Sequence, residues 1–206
     1  KILAAYSAAL DAGGLTLASV QDDAPYTYAG ANGKSVNNYD RRYRGFTTLR
    51  EAITDSINIV TVKTLAQAGV SLGWQYVQEY GFTTVDSRDM NEALALGGIT
   101  QGVSNLELTA AYAAIANQGT YIKPKFYTKI LDRDGNVLID NTTPESHTVI
   151  KDTTAWLLTS AMEDVMTSGT GTSAYFGSSM AQAGKSGTTT SSRDALFAGY
   201  TPYYTC

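Results

Sequence analysis

The chain has 206 residues, 43% of them hydrophobic and 17% charged, which fits one globular domain or two small ones and excludes a disordered or coiled-coil chain. A formal net charge of −4 argues against nucleic acid as a partner, and no apolar run is long enough to cross a membrane. One cysteine, Cys206, and one histidine, His147, exclude an internal disulfide, a cysteine-based zinc site and a zinc site of several histidines.

The chain opens on Ile2–Leu10, an alanine-rich apolar stretch that predicts a helix stopped at Gly13-Gly14. No capping residue precedes Lys1, and Ala195–Tyr200 reads as a strand close to the last residue; both features fit an excerpt of a longer protein. Residues 14–46 have no strong period and predict a long, ordered loop region. Thr48-x-x-Glu51 has the form of a capping box and opens a helix running toward Ser56. A second helix is expected from near Asn58 to Gly69, and a third capped by Ser71 and stopped at Gly81. Ser104-x-x-Glu107 is another capping box, for a helix ending at Gly119. Phe126–Leu131 then alternates like a strand, Asp134-Gly135 makes a tight turn and Val137–Ile139 returns as its partner. A longer helix over about 152–167 would turn Trp156, Leu157, Ala161 and Val165 to one side, and Gly169–Thr172 breaks it. The remaining residues read as strand, turn, strand around Lys185-Ser186-Gly187-Thr188-Thr189. Helices first and strands later give the α+β class, a helical block packed on an antiparallel sheet.

Three short motifs bear chemistry. Lys185-Ser186-Gly187 suits anion binding: the ammonium supplies positive field, the hydroxyl a directed hydrogen bond, and glycine lets a substrate backbone approach. Ser56-Ile57-Asn58 lies between two helices, where its side chains could be held facing a cleft; Ser35-Val36-Asn37 matches the same pattern inside a polar loop, where any such triplet is expected. Lys1 is the third. A lysine one helical turn after a serine shares its face, and a neutral amine there can take the serine proton; that serine would stand three positions before Lys1, outside this chain. His147 follows the turn-like run Thr143–Ser146 and reads as a solvated loop residue, so lysine is the obvious base for nucleophilic chemistry here.

In this order the motifs resemble the Ser-x-x-Lys, Ser-x-Asn and Lys-Thr-Gly set of penicillin-binding proteins and serine β-lactamases. The chain is most similar to the transpeptidase domain of a bifunctional, class A penicillin-binding protein. The likeness extends through Lys1–Gly13, Asn38-Tyr39-Asp40, Gly45–Ala52, Leu96-Gly97-Gly98, Ala110–Tyr121, Thr167–Gly171 and Leu196–Tyr200. Ile57 within the second motif resembles penicillin-binding proteins more than class A β-lactamases, and Ser186 replaces threonine while keeping the hydroxyl. None of Glu79, Glu92 and Glu107 lies in a motif like the acidic deacylation loop of those lactamases.

The resemblance implies a partial transpeptidase domain over 1–206, lacking the nucleophile-bearing N-terminal part and the C-terminal strand and helix, and inactive by itself. The implied activity is D,D-transpeptidation: cross-linking of peptidoglycan stem peptides through a serine acyl-enzyme, with β-lactams as substrate mimics. A D,D-carboxypeptidase and a non-enzymatic β-lactam sensor or wall-binding module of the same fold are the alternatives. Lys1 would accept the proton, Ser56 relay it to the leaving group within hydrogen-bonding reach of Lys185, and Asn58 hold the acyl amide and the Lys1 amine. Lys185 would supply cationic field and favour neutral Lys1. Ser186, Gly187, Thr188 and Thr190 would bind substrate, with the Thr188 N–H forming half of an oxyanion hole. No metal or organic cofactor is implied. The expected location is the outer face of the bacterial cytoplasmic membrane, held by a segment outside this chain.

Overall fold

A computed structural model describes residues 1–29, 33–189 and 193–206. Its apolar opening stretch forms a π-helical turn, Ile2–Tyr6, that continues into α1, Ser7–Asp11; Ile2, Ala5, Tyr6, Ala8 and Ala9 have no exposed surface. A helix apolar on every side must sit inside others. It is wrapped by α3 (Asn58–Ala68) and α4 (Val70–Glu79), with α2 (Leu49–Thr54) packed on α3.

The capping boxes at Thr48/Glu51 and Ser104/Glu107 form as expected, opening α2 and α5 (Asn105–Ala116). The third helix starts one residue before Ser71, which therefore caps nothing; Gly69 stands at its N-cap, with φ 107°. Residues 14–46 hold more order than a loop. Short strands β1 (Val20–Asp23) and β4 (Gly45–Thr48) pair antiparallel, as do β2 (Tyr26–Thr27) and β3 (Ser35–Val36). Strands of two to four residues carry too few alternations to register as a period.

Beyond α5 come β5 (Thr120–Ile122), β6 (Lys129–Leu131), β7 (Val137–Asp140), β8 (Ser146–Thr148), α6 (Asp152–Thr167), β9 (Ala183–Thr188) and β10 (Ala195–Tyr200). The described strands form five antiparallel pairs rather than one continuous sheet. The pair that carries Lys185 is β9–β10: α6 lies against β9, α5 against β10, and Lys185 pairs with Ala198. The buried stripe of α6 is Ala155, Leu158, Ala161, Met162 and Val165; Trp156 is 68% exposed and belongs to the opposite face. His147 is a strand residue. It pairs with Tyr121 across β5–β8, its ring lies 5.3 Å from the Tyr121 ring, and its Nε2 is 2.8 Å from the Glu79 carbonyl.

Candidate active site

The second motif sits on a helix end of unusual construction. Ser56 N–H donates to the Ile53 carbonyl at 3.3 Å and Ile57 N–H to the Ala52 carbonyl at 2.9 Å, which closes α2 in a Schellman turn. The residue between must be left-handed, and Ser56 has φ 56°. Glycine usually takes that place, because a Cβ there costs about 1–2 kcal/mol. What the conformation achieves is orientation: it turns both the carbonyl and the hydroxyl of Ser56 toward Lys1.

Lys1 Nζ donates to the Ser56 carbonyl at 2.6 Å, to Asn58 Oδ1 at 2.6 Å and to Ser56 Oγ at 2.9 Å. Two of these acceptors can only accept, whereas the hydroxyl can also donate. An ammonium satisfies all three. A neutral amine keeps two N–H bonds to the carbonyl oxygens and can turn its lone pair to the Ser56 hydroxyl. Burial, with the Lys185 charge adding to it, lowers the Lys1 pKa to about 7.

Asn58 is the first residue of α3, whose N-cap, Ile57, has no side chain able to accept a hydrogen bond. The missing acceptor comes from Asn38: its Oδ1 takes Asn58 N–H at 3.0 Å and Ile59 N–H at 3.2 Å. The Asn37 carbonyl accepts Asn58 Nδ2 at 2.7 Å, so that Oδ1 is the Asn58 atom facing Lys1. Sequence reasoning assigned no role to Asn37 or Asn38, although the Ser35-x-Asn37 triplet drew attention to that loop.

Lys185 is 5% exposed, on β9. Burial lowers its pKa to about 8. Its Nζ turns to the Ser186 carbonyl at 3.3 Å, and no hydrogen bond joins it to Ser56 among the described residues, where Ser56 Oγ bonds Lys1. Neither Lys1 nor Lys185 forms a salt bridge with a described carboxylate. One buried and one half-buried lysine without a described counter-ion suit an arriving anion. Ser186 Oγ donates to Thr170 Oγ1 at 3.0 Å. Thr170 is held in turn by its N–H on the Thr54 carbonyl at 3.2 Å, an approach that the absent side chain of Gly169 permits. Gly187 and Thr188 are exposed at the end of β9, and a Cβ on Gly187 would meet no atom within 4 Å. Thr190 lies outside the described residues. Lys1, Ser56 and Asn58 are thus joined directly, and Lys185 reaches them through its field.

Residues 1–205 match the family model for the penicillin-binding protein transpeptidase domain. Penicillin-binding protein 1F of Bacillus subtilis is 40% identical over 82% of the chain, and penicillin-binding protein 1A of Clostridium botulinum is 34% identical over 99%. The crystal structure of penicillin-binding protein 1A from Haemophilus influenzae superposes with a TM-score of 0.83 at 27% identity, over 97% of this chain and 35% of that one. The chain spans about a quarter of those two curated relatives' length, 24% and 25%.

Proposed function

The chain belongs to the penicillin-binding protein transpeptidase family, and on that premise we propose that it is the greater part of a D,D-transpeptidase domain within a longer, extracytoplasmic wall-synthesis protein. The observation that carries the mechanism is the triple hydrogen bonding of one buried amine, Lys1 Nζ, by Ser56 and Asn58. A serine one turn before Lys1 would attack the carbonyl between two terminal D-alanines of a stem peptide. Its Oγ–C bond forms, the C–N bond breaks, and the serine proton passes through Lys1 and Ser56 to the departing D-alanine. An amine of a second stem then attacks the ester, forming the cross-link and freeing the serine. Lys1 as base needs its neutral form, and a pKa of about 7 makes that form abundant at neutral pH.

Asn58 would hold the acyl amide by the amide hydrogen that Asn37 does not take. Lys185 raises the positive potential where the tetrahedral oxyanion and the substrate carboxylate need it. Ser186, Gly187 and Thr188 would bind that carboxylate, together with Thr190, which lies outside the described residues, and the Thr188 N–H would offer one oxyanion-hole donor. A β-lactam presents the same carbonyl and carboxylate, and would acylate the same serine.

The test is fluorescent-penicillin labelling of the full-length protein. Covalent, stoichiometric label is expected, strongly slowed in Lys1→Met and in Ser56→Ala. Stem-peptide donor offered with an amine acceptor separates cross-linking from simple hydrolysis; label without either product would mean a sensor. Wild-type protein that takes no label would end this reading.

A further inference from the structure

Asp23 and Asn38 form a polar relay behind the site. Both are buried, with 0% and 2% exposure, although neither belongs to the three motifs. Asp23 ends β1, and its carboxylate accepts Asn38 Nδ2 at 2.8 Å and 3.0 Å and Arg44 N–H at 2.9 Å. The second hydrogen of Asn38 Nδ2 goes to the Arg42 carbonyl at 2.8 Å. Asn38 Oδ1, so oriented, receives the two leading N–H groups of α3. Every hydrogen-bonding capacity of the Asn38 side chain is used.

We propose that Asn38, oriented by Asp23, is a positioning residue for the reaction: it supplies from outside the helix the cap that Ile57 cannot, and thereby sets where Asn58 places its Oδ1 against Lys1. The inference rests on the transpeptidase reading for its kinetic consequence, but its geometric content stands apart. Asn58 is the first residue of α3, so the cap bond is made by the same residue whose side chain meets Lys1. Without it, two N–H groups lose a buried acceptor and the first turn is free to fray. The Asn37 carbonyl on Asn58 Nδ2 is carried by the residue next to Asn38, so one backbone displacement would release both holds.

In the full-length protein, Asn38→Ala is expected to slow penicillin acylation on the order of 10²-fold, the scale of an ångström-sized misplacement. The Lys1 titration midpoint, read by nitrogen NMR of labelled lysine, should fall, since the acceptor that favours its ammonium has withdrawn. Asp89→Asn is the control: a buried carboxylate that holds Thr100 and lies outside the site. It should lower the melting temperature while leaving the Lys1 midpoint and the acylation pH profile in place. The exchange Asp23→Asn with Asn38→Asp restores an acceptor for α3 and a donor–acceptor pair between the two positions, and should recover part of the lost rate. Folded Asn38→Ala with the wild-type Lys1 midpoint and acylation rate would overturn the proposal, as would a rate loss matched by Asp89→Asn at equal stability loss. The midpoint decides the positional claim without any acylation, so wild-type protein that takes no label would sink the enzymatic reading alone.

Discussion

Ile57 N–H donates to the carbonyl of Ala52 at 2.9 Å, and that bond fixes the left-handed turn in which Ser56 sits. A chemically useful side chain therefore occupies a position whose backbone favours none. Ser56→Gly and Ser56→Ala both delete the hydroxyl and differ only in the Cβ. Alanine keeps a left-handed penalty of about 1–2 kcal/mol, while glycine costs about 0.5–1 kcal/mol in chain entropy. The glycine variant should be the more stable by about 0.5–1 kcal/mol, reversing the usual order, with labelling impaired in both. Urea unfolding measures the difference; alanine equal to or above glycine would remove the strain argument.

Lys185→Ala should act twice on acylation. On the proposed mechanism it would remove positive field from the oxyanion and carboxylate, worth on the order of 10²–10³ in rate for such donors. It also withdraws the charge that helps hold Lys1 near 7, so the acid limb of the acylation profile should move to higher pH. Lys151→Ala is the comparison, an exposed lysine whose Nζ donates to the Asp11 carbonyl at 2.7 Å. Equal rates in two folded variants would reduce Lys185 to a strand residue.

The same amines shape stability against pH. Lys1 and Lys185 titrate at about 7 and about 8 when folded, against 10.5 for an ordinary lysine. Between those values the unfolded chain binds more protons, so stability rises with pH from about 7 to about 10. Buried Tyr6, Tyr80, Tyr112 and Tyr200 work the other way: burial raises each well above 10, so the folded chain keeps protons that the unfolded one loses and stability falls beyond that pH. The urea midpoint should peak near pH 9–10, at about the crossing of these two trends. Lys185→Met should flatten the rising limb; an unaltered limb would contradict the assignment.

Gly169→Ala should destabilise by about 1–3 kcal/mol, because a new Cβ would overlap the Thr54 carbonyl. The displaced loop carries Thr170, the acceptor of the Ser186 hydroxyl, so weaker saturation by β-lactam should accompany the stability loss. Thr170→Val separates the two effects: it should weaken saturation at nearly wild-type melting temperature. Unchanged saturation in Thr170→Val would release Ser186 from this control.

Much of this was legible in the sequence because it is local. Capping boxes, glycine stops and the Asp134-Gly135 turn are decided within a few residues and form where the chain predicts them, although the strand before that turn is Lys129–Leu131 and not Phe126–Leu131. The three motifs were legible as order and residue type. What escaped depends on partners far along the chain. Asn38 falls in a segment of family likeness, but its capping role is invisible until β1 and α3 converge on it across 15 and 20 positions. The outward face of α6 escaped for a related reason: Trp156 is apolar enough to join a predicted stripe, and only the placement of β9 decides which side of the helix is inside.

The cage around Lys1 has a consequence for how its proton could be seen. Two carbonyl oxygens and one reversible hydroxyl accommodate ammonium and amine with every heavy atom in place. Crystals grown at pH 6 and at pH 9 should superimpose at this site, although the lysine is mostly charged in one and mostly neutral in the other. The change of state would be a rotation of hydrogens alone, visible to neutrons or to nitrogen NMR and silent in an electron-density map.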